Sequence, residues 1–140
     1  MSRRPLTAEE HAWAVAVLGD TLPPRERIAV SSRVGPGGRA FTFPGRRGTP
    51  IHLGRHHADP LRSAPGLFAH ELTHVWQLAH ARHRLWWLLG AGVVQLRYLL
   101  GRDVYEPGAL TWDAANIEQQ ATLVQRWVTA GSGRPPPPRP

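Results

Sequence analysis

His70, Glu71 and His74, in the run His-Glu-Leu-Thr-His at 70–74, are the residues whose types and spacing point most directly to chemistry. On a helix, residues four apart stand about 40° apart and one turn along the axis, so both imidazoles reach one metal ion. Glu71 then has its carboxylate beside a water that the metal activates, without ligating the metal itself. Composition alone yields this trio at this spacing in about 2% of such chains. The surrounding Leu67, Phe68, Leu72, Val75, Trp76 and Leu78 make the segment apolar and therefore buried. Ionisable groups on a buried helix need partners, and a cation satisfies all three at once. Two surface histidines with a salt-bridging glutamate fit that setting poorly.

With no cysteine in the chain, a metal must take nitrogen and oxygen donors. His80 completes the histidine spacing of the metzincin motif, but Gln77 stands where that motif needs glycine, and the one methionine is Met1, so no methionine turn can follow. Gln77 lets the helix run on and carries His80 to another face. Glu118, in Asn116-Ile117-Glu118-Gln119-Gln120-Ala121, is the better third ligand, because it opens a capped helix with few other acids. Two histidines and one glutamate leave a fourth zinc position open, the mark of a catalytic rather than a structural site.

The elements that must position these groups can be read from the chain. Thr7 caps a helix to about Leu18, with Glu9 and Glu10 in its first turn. Ile28 to Val34, Ala40 to Phe43 and Pro50 to Gly54 read as strands between Gly/Pro turns, and Pro50 marks the third as an edge strand. Ser63 as cap and Pro65 in the first turn open the His70 helix, which runs to about Ala81. Leu85 to about Leu100 reads as a buried apolar helix; with Gln95 and Arg97 inside, it falls short of the roughly 20 residues that span a bilayer. After a connector with Pro107-Gly108, Asp113 or Asn116 caps a last helix to about Ala130. The expectation is an α+β domain over 1–130, with a small antiparallel or mixed sheet whose edge strand lies beside the His70 helix, and a disordered Pro-rich tail over 131–140. Trp76, Trp86, Trp87, Trp112 and Trp127 fall on or beside helices and are expected in the core.

At His-Glu-Leu-Thr-His-Val-Trp-Gln (70–77) and Asn-Ile-Glu-Gln-Gln-Ala (116–121), the chain resembles a gluzincin, a zincin with a histidine-pair helix and a glutamate from a later helix. More narrowly, from about Pro50 to Val128 it is similar to small bacterial "Vgr-related" zincin-like proteins, which are associated with Vgr spikes of contractile secretion systems. The resemblance implies zinc on His70, His74 and Glu118, Glu71 as catalytic base, and Pro50 to Gly54 as the edge strand that pairs with an extended substrate near Ile51, His52 and Leu53. It also implies a Vgr spike or another secretion-system component as a partner. Many gluzincins place an aspartate one turn after the ligand glutamate to support a ligand histidine; here Thr122 stands there, and a hydroxyl orients an imidazole more weakly.

The expected function is zinc-dependent peptide-bond hydrolysis, with Glu71 taking a proton from the attacking water and returning it to the leaving amine. Tyr105, in the connector before the Glu118 helix, is the candidate oxyanion donor, with packing as its alternative role. His52, His56 and His57 flank the expected substrate edge. The competing function is a catalytically inactive zincin-like adaptor or cargo module of a secretion apparatus. The net charge of +7 rests on seventeen arginines and no lysine. They are scattered, with Arg3-Arg4 and Arg46-Arg47 the only adjacent pairs, which speaks against a dedicated nucleic-acid face. Behind Met1-Ser2-Arg3-Arg4 the chain is polar where a signal peptide would be apolar. The expectation is therefore a protein cytoplasmic as synthesised; the resemblance to Vgr-related proteins adds a contractile secretion system as an export route.

Overall fold

Reciprocal caps fix the two helices nearest the ends. Thr7 Oγ1 accepts from the Glu10 N–H at 3.1 Å while the Glu10 carboxylate accepts from the Thr7 N–H at 2.8 Å, opening α1 (Ala8–Leu18). Asn116 and Gln119 make the same exchange at 2.8 and 3.0 Å, opening α5 (Ile117–Ala130). The structure is a computed structural model and describes residues 2–108 and 111–131, so the expected tail from 132 onward lies outside the described residues.

The fold is α+β, with a four-stranded mixed sheet of β1 (Arg3–Pro5), β2 (Ile28–Ser31), β3 (Phe41–Thr42) and β4 (Thr49–His52). The order is β1-β2-β4-β3: β2 and β4 are parallel, and each outer strand is antiparallel to its neighbour. Two expectations change here. The segment at Arg3–Pro5 forms a strand, and Arg4 locks it in place: its guanidinium grips the Glu10 carboxylate at 2.6 and 2.7 Å and also donates to the His57 carbonyl at 2.9 Å. The strand expected at the edge, Pro50 to Gly54, is an interior strand paired on both sides. Pro50 is tolerated because its carbonyl accepts from the Phe43 N–H on the β3 side. A strand residue's N–H and C=O point the same way, so the missing donor falls where β3 has already ended.

After β4, Asp59 rather than Ser63 acts as a cap. It opens a four-residue helix, α2 (Pro60–Ser63), through its Oδ1 and the Arg62 N–H at 3.3 Å. Ala64 leaves the helical region (φ −159°, ψ 63°), as a residue before proline tends to do, and Pro65 opens α3 (Pro65–His80). The apolar face of α3, with Phe68, Leu72 and Val75, shares one buried core with Ile28, Val30 and Ile51 of the sheet and Val124 of α5. α4 (Arg84–Leu99) departs most from expectation: Val94 is its one buried residue, and Trp86, expected in the core, is 68% exposed. Trp76 and Trp112 are buried as expected.

α5 lies close along α3, and Gly66 permits the approach. A Cβ at Gly66 would sit 2.8 Å from Thr129 Oγ1 and 3.3 Å from Gln125 Cγ. Gly66→Val is expected to force α5 outward and cost about 1–3 kcal/mol, measured by urea unfolding of the metal-free protein; an unchanged midpoint would contradict this packing.

Candidate metal centre

α3 presents His70 and His74 one turn apart, and α5 brings Glu118 in its first turn against both. His70 Nε2 lies 3.1 Å from Glu118 Oε2, and His74 Nε2 lies 3.4 Å from Glu118 Oε1. One donor atom from each residue falls within 4.8 Å of the other two, a grouping that can hold a metal ion. The side chains are 11%, 6% and 12% exposed, so the cluster is nearly closed to solvent.

The second nitrogen of each imidazole is committed. His70 Nδ1 donates to Gln125 Oε1 at 3.0 Å and His74 Nδ1 to Gln77 Oε1 at 2.8 Å. This fixes the tautomers and turns both Nε2 atoms toward Glu118. Gln77 is itself held, because its amide donates to Gln120 Oε1 at 2.9 Å and to the Ile117 carbonyl at 3.0 Å. Gln120 in turn donates to the Trp112 carbonyl at 2.9 Å. The imidazole support sought at Thr122 thus comes from two glutamine amides. Gln77, which stands where a metzincin would have glycine, is one of them. His80 itself lies exposed at the end of α3, stacked on Trp76 with ring centroids 4.2 Å apart.

Glu71 is buried, and its Oε2 accepts from Thr42 Oγ1 of the outer strand β3 at 2.7 Å. The sheet edge beside α3 is therefore β3. The expected substrate residues Ile51, His52 and Leu53 lie in or just after the interior strand, all buried; His52 Nδ1 pairs with Ser31 Oγ at 2.6 Å while its ring stacks on Phe41. The backbone of Phe43 points to β4, so that of Thr42, one residue earlier, faces the open side. His57 is turned inward, its Nδ1 donating to the Gly54 carbonyl at 2.8 Å.

Tyr105 lies in the connector that Glu106 fastens to α5 through a two-pronged ion pair with Arg126 at 2.5 and 2.9 Å. Burial and the Glu118 charge hold its phenol above the ordinary range, so it is protonated at neutral pH. Arg39 donates to the Tyr105 hydroxyl at 2.5 Å and stands over the rings of Tyr98 and Tyr105. Against His74 lies Trp87, whose buried indole nitrogen has no hydrogen-bond partner. Sequence reasoning missed Arg39, Thr42 and Trp87 as neighbours of the site. Arg39 and Thr42 follow glycine turns with no motif around them, and Trp87 sits in an apolar run that reads as core.

In sequence, over an alignment of 64 residues, this chain is 47% identical to part of the type VI secretion system spike protein VgrG2b of Pseudomonas aeruginosa. The match covers 43% of this chain and 6% of that protein's length. No protein-family model matches the chain, and no solved structure matches it.

Electrostatics sets the pH behaviour of the metal-free cluster. Burial works against a charged His74, yet the hydrogen bond and charge of Glu118, with Glu71 behind, raise it to about 9. Burial likewise opposes the Glu118 carboxylate, but its two imidazole partners hold it well below the usual carboxylate range. A raised histidine stabilises the fold fully below its ordinary pKa of about 6.5 and loses that contribution as pH rises through about 9. A metal ion must displace the same proton. Loading one divalent ion near neutral pH is therefore expected to release about one proton, with affinity rising about tenfold per pH unit until His74 titrates. Calorimetry in buffers of different ionisation enthalpy measures this, and an affinity flat between about pH 6 and 8 would contradict it.

Proposed function

We propose that the chain is a zinc-dependent peptide-bond hydrolase module associated with a type VI secretion spike. The donor set of two imidazoles and one carboxylate suits zinc and leaves a position for substrate. Zinc held there supplies a Lewis acid that polarises a carbonyl and lets a water lose its proton near neutral pH. The secretion association rests on the similarity to VgrG2b, of which the matched segment is a small part.

The observation that carries the hydrolytic reading is the place of Glu71, one residue from the first imidazole and tied at Oε2 to the edge strand by the Thr42 hydroxyl. That bond orients the carboxylate and leaves Oε1 to take a proton from the attacking water and pass it to the leaving amine. The free backbone groups of Thr42 offer an extended peptide one register of β-pairing beside the base. Tyr105, kept protonated and positioned by Arg39, is the proposed hydrogen-bond donor to the developing oxyanion, and the unpartnered Trp87 N–H is a second.

The zinc-loaded wild type is expected to cleave members of a mixed peptide library, and Glu71→Gln to keep its zinc while losing about 10²–10⁴-fold in rate. A wild type carrying one zinc per chain that cleaves nothing would leave the adaptor reading in its place.

A further inference from the structure

α4 turns an apolar face outward. At 100° per residue, Leu85, Trp86, Leu89, Val93, Leu96 and Leu99 fall within a sector of about 140°. Each is between 52% and 78% exposed. Buried Val94 lies on the opposite side, toward the domain. The face is therefore a continuous stripe rather than scattered apolar residues, and nothing else among the described residues covers it.

The charges around the stripe are of one sign. Arg82 and Arg84 stand at its start, Arg97 and Arg102 at its end, and no aspartate or glutamate occurs from 82 to 102. Arginines at a helix N-terminus oppose the helix dipole, so local stability does not explain them. A second copy of the chain laid along α4 in either direction would set arginine against arginine at both ends; the nearest carboxylate, Asp103, lies beyond the helix and accepts from the Tyr105 and Glu106 N–H groups.

We propose that α4 is an interfacial helix that docks the protein on an anionic lipid surface. The leucines, Val93 and Trp86 enter the boundary between headgroups and acyl chains, and the flanking arginines meet lipid phosphates. Docking does not span the bilayer; among the described residues no helix is long and apolar enough to cross a membrane. It is independent of hydrolysis, but because Trp87 of the same helix lies against His74, it would hold the metal centre close to the membrane plane.

The test is co-sedimentation of the full chain with vesicles of phosphatidylcholine mixed with phosphatidylglycerol, beside vesicles of phosphatidylcholine alone. The expected result is binding to the anionic vesicles that weakens with salt and shifts tryptophan emission to the blue. The triple variant Leu89→Gln, Val93→Gln, Leu96→Gln alters only exposed positions; it is expected to keep its circular dichroism spectrum and bind about tenfold or more weakly. Arg82→Glu with Arg97→Glu, both exposed, is expected to lower binding to the anionic vesicles alone. Equal binding by wild type and triple variant would overturn the proposal. So would no binding to anionic vesicles, or a dimer by light scattering that the triple variant dissolves.

Discussion

A carboxylate set between two imidazoles governs how this molecule is put together. Glu118 enters the seam between α3 and α5 nearly stripped of water, a position that costs heavily for an unpaired charge. His70 and His74 are at least as enclosed, and none of the three suits the seam without the others. The requirement extends outward. Gly66 must lack a side chain for α5 to come close, Asn116 and Gln119 must start α5 at the right residue, and Gln77 and Gln125 must occupy the far side of each ring. Much of the polar network between the two helices serves to aim two nitrogens and two oxygens at one another.

The sequence disclosed this seam because its signals are local. A histidine pair at helical spacing, an apolar flank and a capped helix carrying a lone glutamate can each be read within a few residues. The sheet was harder for a physical reason. Whether Thr49–His52 lies at an edge depends on which strands flank it, and Pro50 misled because its missing donor falls beyond the end of a two-residue strand. Arg3–Pro5 carries no strand pattern and is held by its pairing with β2 and by the Arg4 bond to the His57 carbonyl, distant contacts that leave no trace in local sequence. At Ser63 and Asp59, two capping residues compete, and the non-helical backbone of Ala64 before Pro65 places Ser63 at the end of α2, so Asp59 is the cap.

α4 was misread because apolar content shows that a helix has something to bury against without saying what. Its outward stripe is left over once Val94 and Trp87 have met the domain. The arginines looked scattered along the chain, yet folding brings Arg27, Arg46, Arg47 and Arg84 around one cavity. Patterning along the chain is a poor guide to surface charge when short strands and turns fold distant segments together. The candidate metal cluster and the apolar helix also meet in space, through His74 and Trp87, and Tyr98 of the same helix lies against Tyr105, so a ligand on α4 would lie beside that cluster.

The central claim is that His70, His74 and Glu118 bind one ion together, and metal analysis of the purified protein tests it most directly. Wild type is expected to carry one equivalent of zinc through dialysis, and Glu118→Ala, folded by circular dichroism, to lose it. Equal zinc in both proteins, or none in the wild type after zinc is supplied, would contradict the account.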